Sequence, residues 1–264
     1  MNTITGIIIG LGLFLLAFIY EGGSPDSIFM IAPLVVVIGG TLMATMAGST
    51  WKQFKNIPTL MSISFNRKAP DHELILEEII AYSTLARKEG KLVLDDKIDE
   101  IKEPFLRKLF RLYADGTDVE AYKSISESEI ESITDRHESN IEIFKRMGGF
   151  SPTMGIIGTV MGLITTLSSA GDEPNILIQR IAFAFIATLW GIMMANMVWI
   201  PISDKLRTLH NEEIKSYELM IDGVYGLFAG DVPSLIQKRL ASFYPISEQR
   251  HVLMKRFVYK RPKS

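Results

Sequence analysis

No cysteine occurs among the 264 residues, which excludes a disulfide framework, thiolate metal ligation and a cysteine nucleophile. Histidine is scarce too: His72, His137, His210 and His251 lie too far apart to form a histidine-rich metal motif. Net charge is only −2, from 28 basic and 30 acidic residues, so no global field draws the chain to nucleic acid. There is no Walker A lysine loop, Rossmann glycine fingerprint or HExxH, so ATP-driven work has no site and an enzyme is not expected. Disorder is excluded because 47% of residues are hydrophobic and 22% charged.

Charge is missing altogether from long stretches. Mean hydropathy is +0.20 beside an ordinary charged fraction, so polar and apolar residues are segregated along the chain. Ile4–Tyr20 and Ile28–Gly48 are free of charge and separated only by Glu21-Gly-Gly-Ser-Pro-Asp-Ser27. Met147–Ala170 and Ile176–Ile202 follow later, separated by Gly171-Asp-Glu-Pro-Asn175. A helix needs about 20 apolar residues to cross ~30 Å of hydrocarbon. Three segments reach that length and Ile4–Tyr20 sits at the short end. With no basic region before it, the first span is expected to be retained rather than cleaved as a signal peptide.

Orientation follows from lysine and arginine. The hairpin linkers contain only acids, Glu21, Asp26, Asp172 and Glu173, whereas the opposite flanks carry Lys52, Lys55, Arg67, Lys68, Lys145, Arg146, Lys205 and Arg207. Of the 28 basic residues, 27 fall on that second side. Arg180 is the exception, one turn into the fourth span, where it can snorkel outward. Both termini are therefore expected in the cytoplasm. The expected plan is an all-α membrane protein: a transmembrane hairpin over 1–50, a helical cytoplasmic domain over 51–146, a second hairpin over 147–202 and a cytoplasmic helical tail over 203–264.

Within 51–146, Asp71 is placed to cap a helix whose Leu74, Ile75, Ile79, Tyr82, Leu85 and Ala86 form one apolar stripe, with Gly90 as its stop. Pro104 opens Phe105–Ala114. Thr117 is expected to cap a long acidic helix from Asp118 to about Arg146 that runs into the third span. A further helix is expected over Ser203–Phe228.

Small residues recur at four-residue steps, at Gly6 and Gly10, at Gly158 and Gly162, and at Ala187, Gly191 and Ala195, a spacing that lets helices approach closely in lipid. They serve packing within one subunit or against others. No Asp or Glu lies inside any span, and Arg180 is the one ionisable residue there. An ion path through the bilayer ordinarily needs an intramembrane carboxylate. The chain either moves no ions or works with a partner that brings the acid. What it has is hydroxyls, Thr159 and Thr188 near mid-span and Thr165 and Thr166 further out. Each more simply bonds a carbonyl one turn back; a pair at similar depth also suits a polar path, and spacing leaves both open. Pro33 lies inside the second span, while Pro152 and Pro201 mark the junctions of the third and fourth spans with cytoplasmic helices. Each is a plain helix boundary or a hinge.

Phe150-Ser-Pro-Thr-Met-Gly-Ile-Ile-Gly-Thr-Val-Met-Gly-Leu163, an acidic turn and Ile181-Ala-Phe-Ala-Phe-Ile-Ala-Thr-Leu-Trp-Gly191 resemble the MotA flagellar stator family. The third-span motif is shared with the related ExbB/TolQ proteins; the paired N-terminal spans and the loop favour MotA. The resemblance implies a bacterial inner-membrane subunit that forms a ring, a pentamer, around a MotB-like single-span dimer supplying the missing aspartate. It implies an ion-driven ring, protons ahead of sodium, with no other cofactor, that transmits torque to the rotor protein FliG. By position it makes Thr159 and Thr188 ion-pathway residues, Pro152 and Pro201 conformational hinges, and Arg87 and Asp95 rotor contacts. The family usually has glutamate where Asp95 stands, so the shorter acid keeps the charge and shifts its reach. Two other readings stand beside it: an ExbB/TolQ-like channel energising envelope transport, and a passive membrane scaffold.

Overall fold

The computed structural model describes residues 2–67, 69–168 and 173–255, the side chains of 2, 3 and 92 excepted. Lys68, Asp172, the last two residues of the third expected span and the tail beyond 255 lie outside the described residues. Every regular element among the described residues is helical. In the first third these are α1 (Asn2–Tyr20), α2 (Pro25–Ile28), α3 (Ile31–Leu34), α4 (Gly40–Ala47), α5 (Trp51–Lys55) and α6 (Ile57–Asn66). Then come α7 (His72–Glu89), α8 (Lys91–Asp95), α9 (Pro104–Ala114) and α10 (Val119–Ser168). The last are α11 (Pro174–Met194), α12 (Ile200–Phe228), α13 (Pro233–Ala241) and α14 (Ile246–Met254). Among the described residues three stretches are long and apolar enough to cross a bilayer, Pro25–Ala47, Val119–Ser168 and Pro174–Phe228, and Ile4–Tyr20 is a shorter apolar helix. The chain divides into two compact units, Met1–Arg67 with His137–Leu209, and Lys68–Arg136 with His210–Ser264.

The first unit carries the apolar helices. Ile8, Leu13, Leu16, Leu167, Ile178 and Phe185 are each more than 60% exposed, a surface that a water-soluble unit does not leave bare. A buried cluster lies at the polar end, where Ile57 and Leu60 of α6 meet Phe144 and Met147 of α10 and Trp199, Ile202 and Leu206 near the start of α12. Arg146 ties that end together, donating from Nη1 to the Gly48 carbonyl at 2.6 Å and from Nη2 to Ser49 at 3.2 Å. At the other end, the Trp190 indole donates to the Ile28 carbonyl at 2.7 Å and its ring lies 5.9 Å from Phe29.

The prolines depart in part from expectation. The chain breaks at Phe29–Met30 and restarts at Ile31, so Pro33 sits in a first turn, where its missing N–H costs nothing. Pro152 lies inside an unbroken α10. Pro201 follows a five-residue π-helical turn, Ala195–Trp199. A proline ring crowds the carbonyl four residues before it, here that of Met197, and a widened turn relieves the crowding. A second π turn spans Val35–Gly39.

The second unit has a soluble-type core. Asp71 caps α7, its Oδ1 accepting from the Glu73 and Leu74 amides at 3.0 and 3.3 Å. Gly90 ends it at φ +88°, a backbone that side-chain-bearing residues rarely adopt. Ile75, Ile79, Tyr82, Leu85 and Ala86 are buried as expected, whereas Leu74 is 60% exposed and Leu76 and Ile80 are buried instead. Phe105, Leu106, Leu109 and Phe110 make the inner face of α9. The cap of α10 is Asp118, which accepts from the Ala121 amide at 2.8 Å, one residue later than the expected Thr117. Tyr122 is fully buried, and its hydroxyl donates to the Ile221 carbonyl at 2.8 Å; burial holds that phenol well above its ordinary pKa. Ile236, Leu240 and Val252 from α13 and α14 complete this core.

Candidate functional site

The crossing of α10 and α11 brings Thr159 and Thr188 together. Their hydroxyl oxygens are in direct hydrogen-bond contact. The Thr159 oxygen also lies 3.1 Å from the Gly155 carbonyl of its own helix and 2.9 Å from the Ala184 carbonyl of α11. One hydroxyl proton serves one acceptor at a time, so two hydroxyls and two carbonyls form a cluster with more oxygens than protons. Both threonines are half-buried, leaving one side of the cluster open. Such a group can hand a proton along hydroxyls or water, or coordinate a cation through oxygen.

Small residues make the approach possible. A Cβ on Gly155 would meet the Ala187 carbonyl oxygen at 2.9 Å and the Thr188 Cα at 3.1 Å. One on Gly191 would meet the Ser151 carbonyl oxygen at 2.8 Å. Gly158 and Gly162 face Ala187 and Ala184 in the same way. These ladders are therefore used within the chain's own hairpin. Gly10 faces Met197, while nothing lies near Gly6. The four-residue spacing pointed to Gly158, Gly162 and Gly191, but Gly155, which meets the backbone of α11 nearly as closely as Gly191 meets that of α10, was not singled out. Ser151 is buried one turn before it, and its hydroxyl has no hydrogen-bond partner among the described residues.

Thr165 and Thr166 bond back to the Gly162 carbonyl at 2.8 Å, as threonines in spans usually do. Arg180 donates across the hairpin to the Thr165 carbonyl at 3.2 Å. Pro152 stands between Ser151 and the Gly155 contact, and Pro201 directly follows Ile200, whose side chain sits against Gly148.

In the other unit, Arg87 lies in the last turn of α7 and Asp95 at the end of α8, on either side of the Gly90 turn. Both are exposed. Arg87 reaches the Gly230 carbonyl at 3.4 Å. Around them Lys88, Glu89, Lys91 and Asp96 are exposed too, so the turn presents charges of both signs. No group of three or more His, Asp or Glu residues among those described is arranged to hold a metal ion.

The MotA/TolQ/ExbB proton channel family model matches residues 97–219, which takes in the Thr159–Thr188 crossing. Motility protein A of Bacillus subtilis is 31% identical over 252 residues, covering 94% of this chain and 92% of its own. The flagellar MotAB stator complex from Bacillus subtilis contains a chain that superposes with a TM-score of 0.87 at 30% identity, covering 96% of this chain and 98% of that one. A chain of C. jejuni MotAB has the same fold, with a TM-score of 0.87 at 24% identity over 93% and 96% of the two chains. The all-helical architecture, the third- and fourth-span motif and near full-length similarity agree: the chain belongs to the MotA/TolQ/ExbB proton channel family, as a multi-pass membrane channel subunit and not an enzyme.

Proposed function

We propose that this chain is a flagellar stator subunit that conducts protons together with a MotB-like partner and converts their passage into torque. The observation that carries the reading is the Thr159–Thr188 hydroxyl pair in spans that hold no carboxylate. An oxygen cluster without an acid suits a path wall beside which a partner's aspartate is loaded and released. Similarity to chains of MotAB complexes supports such a partner.

The topology of this reading is four spans in two hairpins, with both termini and residues 51–146 in the cytoplasm of a bacterial inner membrane. The chains assemble as a pentamer around a single-span dimer. Exposed apolar residues on α10, among them Ile156, Val160, Met161 and Ile164, supply the surface such assembly needs. Pro152 and Pro201 act as hinges where spans meet cytoplasmic helices; the widened turn before Pro201 is a place where a helix changes pitch at low cost. Arg87 and Asp95 steer a charged face of FliG, since exposed charge pairs govern encounter and register more than stability.

The test is swimming by a strain lacking its own copy and complemented with this chain, measured against external sodium and against a protonophore. A proton-driven stator gives speed that is independent of sodium and abolished by the protonophore. Restoration of envelope transport without motility would assign the chain to the ExbB/TolQ-like role instead.

A further inference from the structure

The second unit carries a groove of about 740 Å³ that the stator reading leaves without a task. One wall is α10, where Glu127, Glu131 and Asp135 recur at four-residue steps, placing a carboxylate about every 6 Å. The facing wall is α12, with Glu218 and Asp222 at the same step. Between these two acidic rails the floor is apolar and aromatic, formed by Ile130, Ile221, Tyr225 and Phe243. Lys123 is the one cation on the lining, and it is engaged over the Tyr225 ring at 4.6 Å. Asp222 is partly answered by Arg239 at 3.8 Å. The rails remain strongly acidic, and an apolar floor between them calls for a segment that is basic and aromatic at once.

The chain contains one such segment nearby. Its last nine residues, Arg256-Phe-Val-Tyr-Lys-Arg-Pro-Lys-Ser264, hold four cations, two aromatic residues and no acid. They follow closely on α14, which is anchored close to the groove floor. Lys255 forms an ion pair with Glu73, and its carbonyl accepts from Gln237 at 3.0 Å. Gln249 of α14 donates to the Tyr244 carbonyl at 2.9 Å, and Tyr244 is the chain neighbour of Phe243 on the groove floor. Nine residues reach as far as ~30 Å when extended, enough to run the length of the rails. Tethering at this range supplies an effective concentration of about millimolar, so modest contacts suffice. We propose that the basic–aromatic tail, residues 256–264, docks into this groove of its own chain, cations on the rails and aromatic rings on the floor.

The natural absence of cysteine makes the test clean. Thr134→Cys in the groove is combined with Tyr259→Cys in the tail, in the full-length chain in isolated membranes under mild oxidation. A control pairs Tyr259→Cys with Ser132→Cys, which is exposed on the opposite side of α10. Docking predicts an intramolecular disulfide that forms at least tenfold faster with Thr134→Cys than with the control. Lys260→Glu with Arg261→Glu should abolish that advantage, as should ~1 M salt, which shortens electrostatic reach to about 3 Å. These tail variants leave the folded core untouched. Equal rates for the two pairs, or a rate indifferent to charge reversal and salt, overturn the proposal. A disulfide found only between chains overturns it in favour of a second copy. Rapid cross-linking in detergent that vanishes in anionic-lipid membranes overturns it in favour of the membrane surface.

Discussion

Adding one methyl group at Gly155 tests whether the hydroxyl pair depends on the close approach of α10 and α11. The new Cβ would stand 2.9 Å from the Ala187 carbonyl oxygen, 0.5 Å short of the 3.4 Å at which ordinary contact begins, and 3.1 Å from the Thr188 Cα. Both obstacles are backbone, so no side chain can swing away. The helices must part by about half an ångström at a point one turn from Thr159. Overpacking of this kind costs ~1–3 kcal/mol, offset by about 1 kcal/mol of helix propensity gained on replacing glycine with alanine. The subunit should therefore still fold and insert, while the Thr159 hydroxyl is drawn back from the Ala184 carbonyl, from 2.9 Å to about 3.4 Å, and that bond across the crossing is weakened. Gly155→Ala is expected to reach normal membrane levels with swimming reduced at least severalfold. Gly149→Ala, where nothing lies within 4 Å, should swim normally. Wild-type motility in Gly155→Ala at matched expression would refute the dependence on that contact. Loss of motility in both variants would show a general intolerance of the helix rather than a fault at the crossing.

Thr159→Val and Thr188→Val keep the shape and remove the hydroxyls; each should cut proton influx through the assembled stator with assembly intact, and unchanged influx in both would remove the pair from the path. Arg87→Glu should impair swimming while influx persists, if the rotor contact proposed for this exposed turn is right; loss of influx would place it elsewhere. Tyr122→Phe removes the hydrogen bond between the buried phenol and the Ile221 carbonyl and should destabilise the second unit by about 1 kcal/mol, read as a lower Tm. Burial, ahead of the opposing pull of Lys102, holds the Glu78 carboxyl above its ordinary 4.5. The folded state then keeps a proton that the unfolded chain has released, so stability falls as pH rises from about 4.5 through the raised value and levels off above it. Glu78→Gln should flatten that fall and melt higher than wild type at neutral pH; an unchanged slope contradicts the assignment.

The fold was legible where one physical force dominated. Uncharged runs of about twenty residues gave the apolar helices, and Asp71, Gly90 and Pro104 punctuated the helices of the second unit because caps and stops act locally. The cap of α10 went astray by one residue because Thr117 and Asp118 both suit the position, and only the backbone geometry chooses. Leu74 was misplaced because α7 buries a wide face reaching Leu76 and Ile80, so a narrow stripe drawn from spacing cut it at the wrong edge. The break at Phe29–Met30 depends on how neighbouring helices pack, which no local signal records; Pro201 was visible as a boundary or hinge, but not that the crowding of its ring is met by a π turn. The same holds for the site. The threonines were visible as hydroxyls at similar depth, but their contact, and the part played by Gly155, required knowing which helix faces which. The groove between α10 and α12 escaped notice because its rails come from segments more than eighty residues apart, each of which alone resembles an ordinary solvated face.

Proton influx into cells expressing this chain with the proposed MotB-like partner, the membrane aspartate proposed for that partner intact or replaced by asparagine, goes to the centre of the matter. A path wall without an acid of its own should conduct only with the intact partner and fall to background with the asparagine form. Influx that survives the replacement, or that this chain supports when expressed alone, would contradict it.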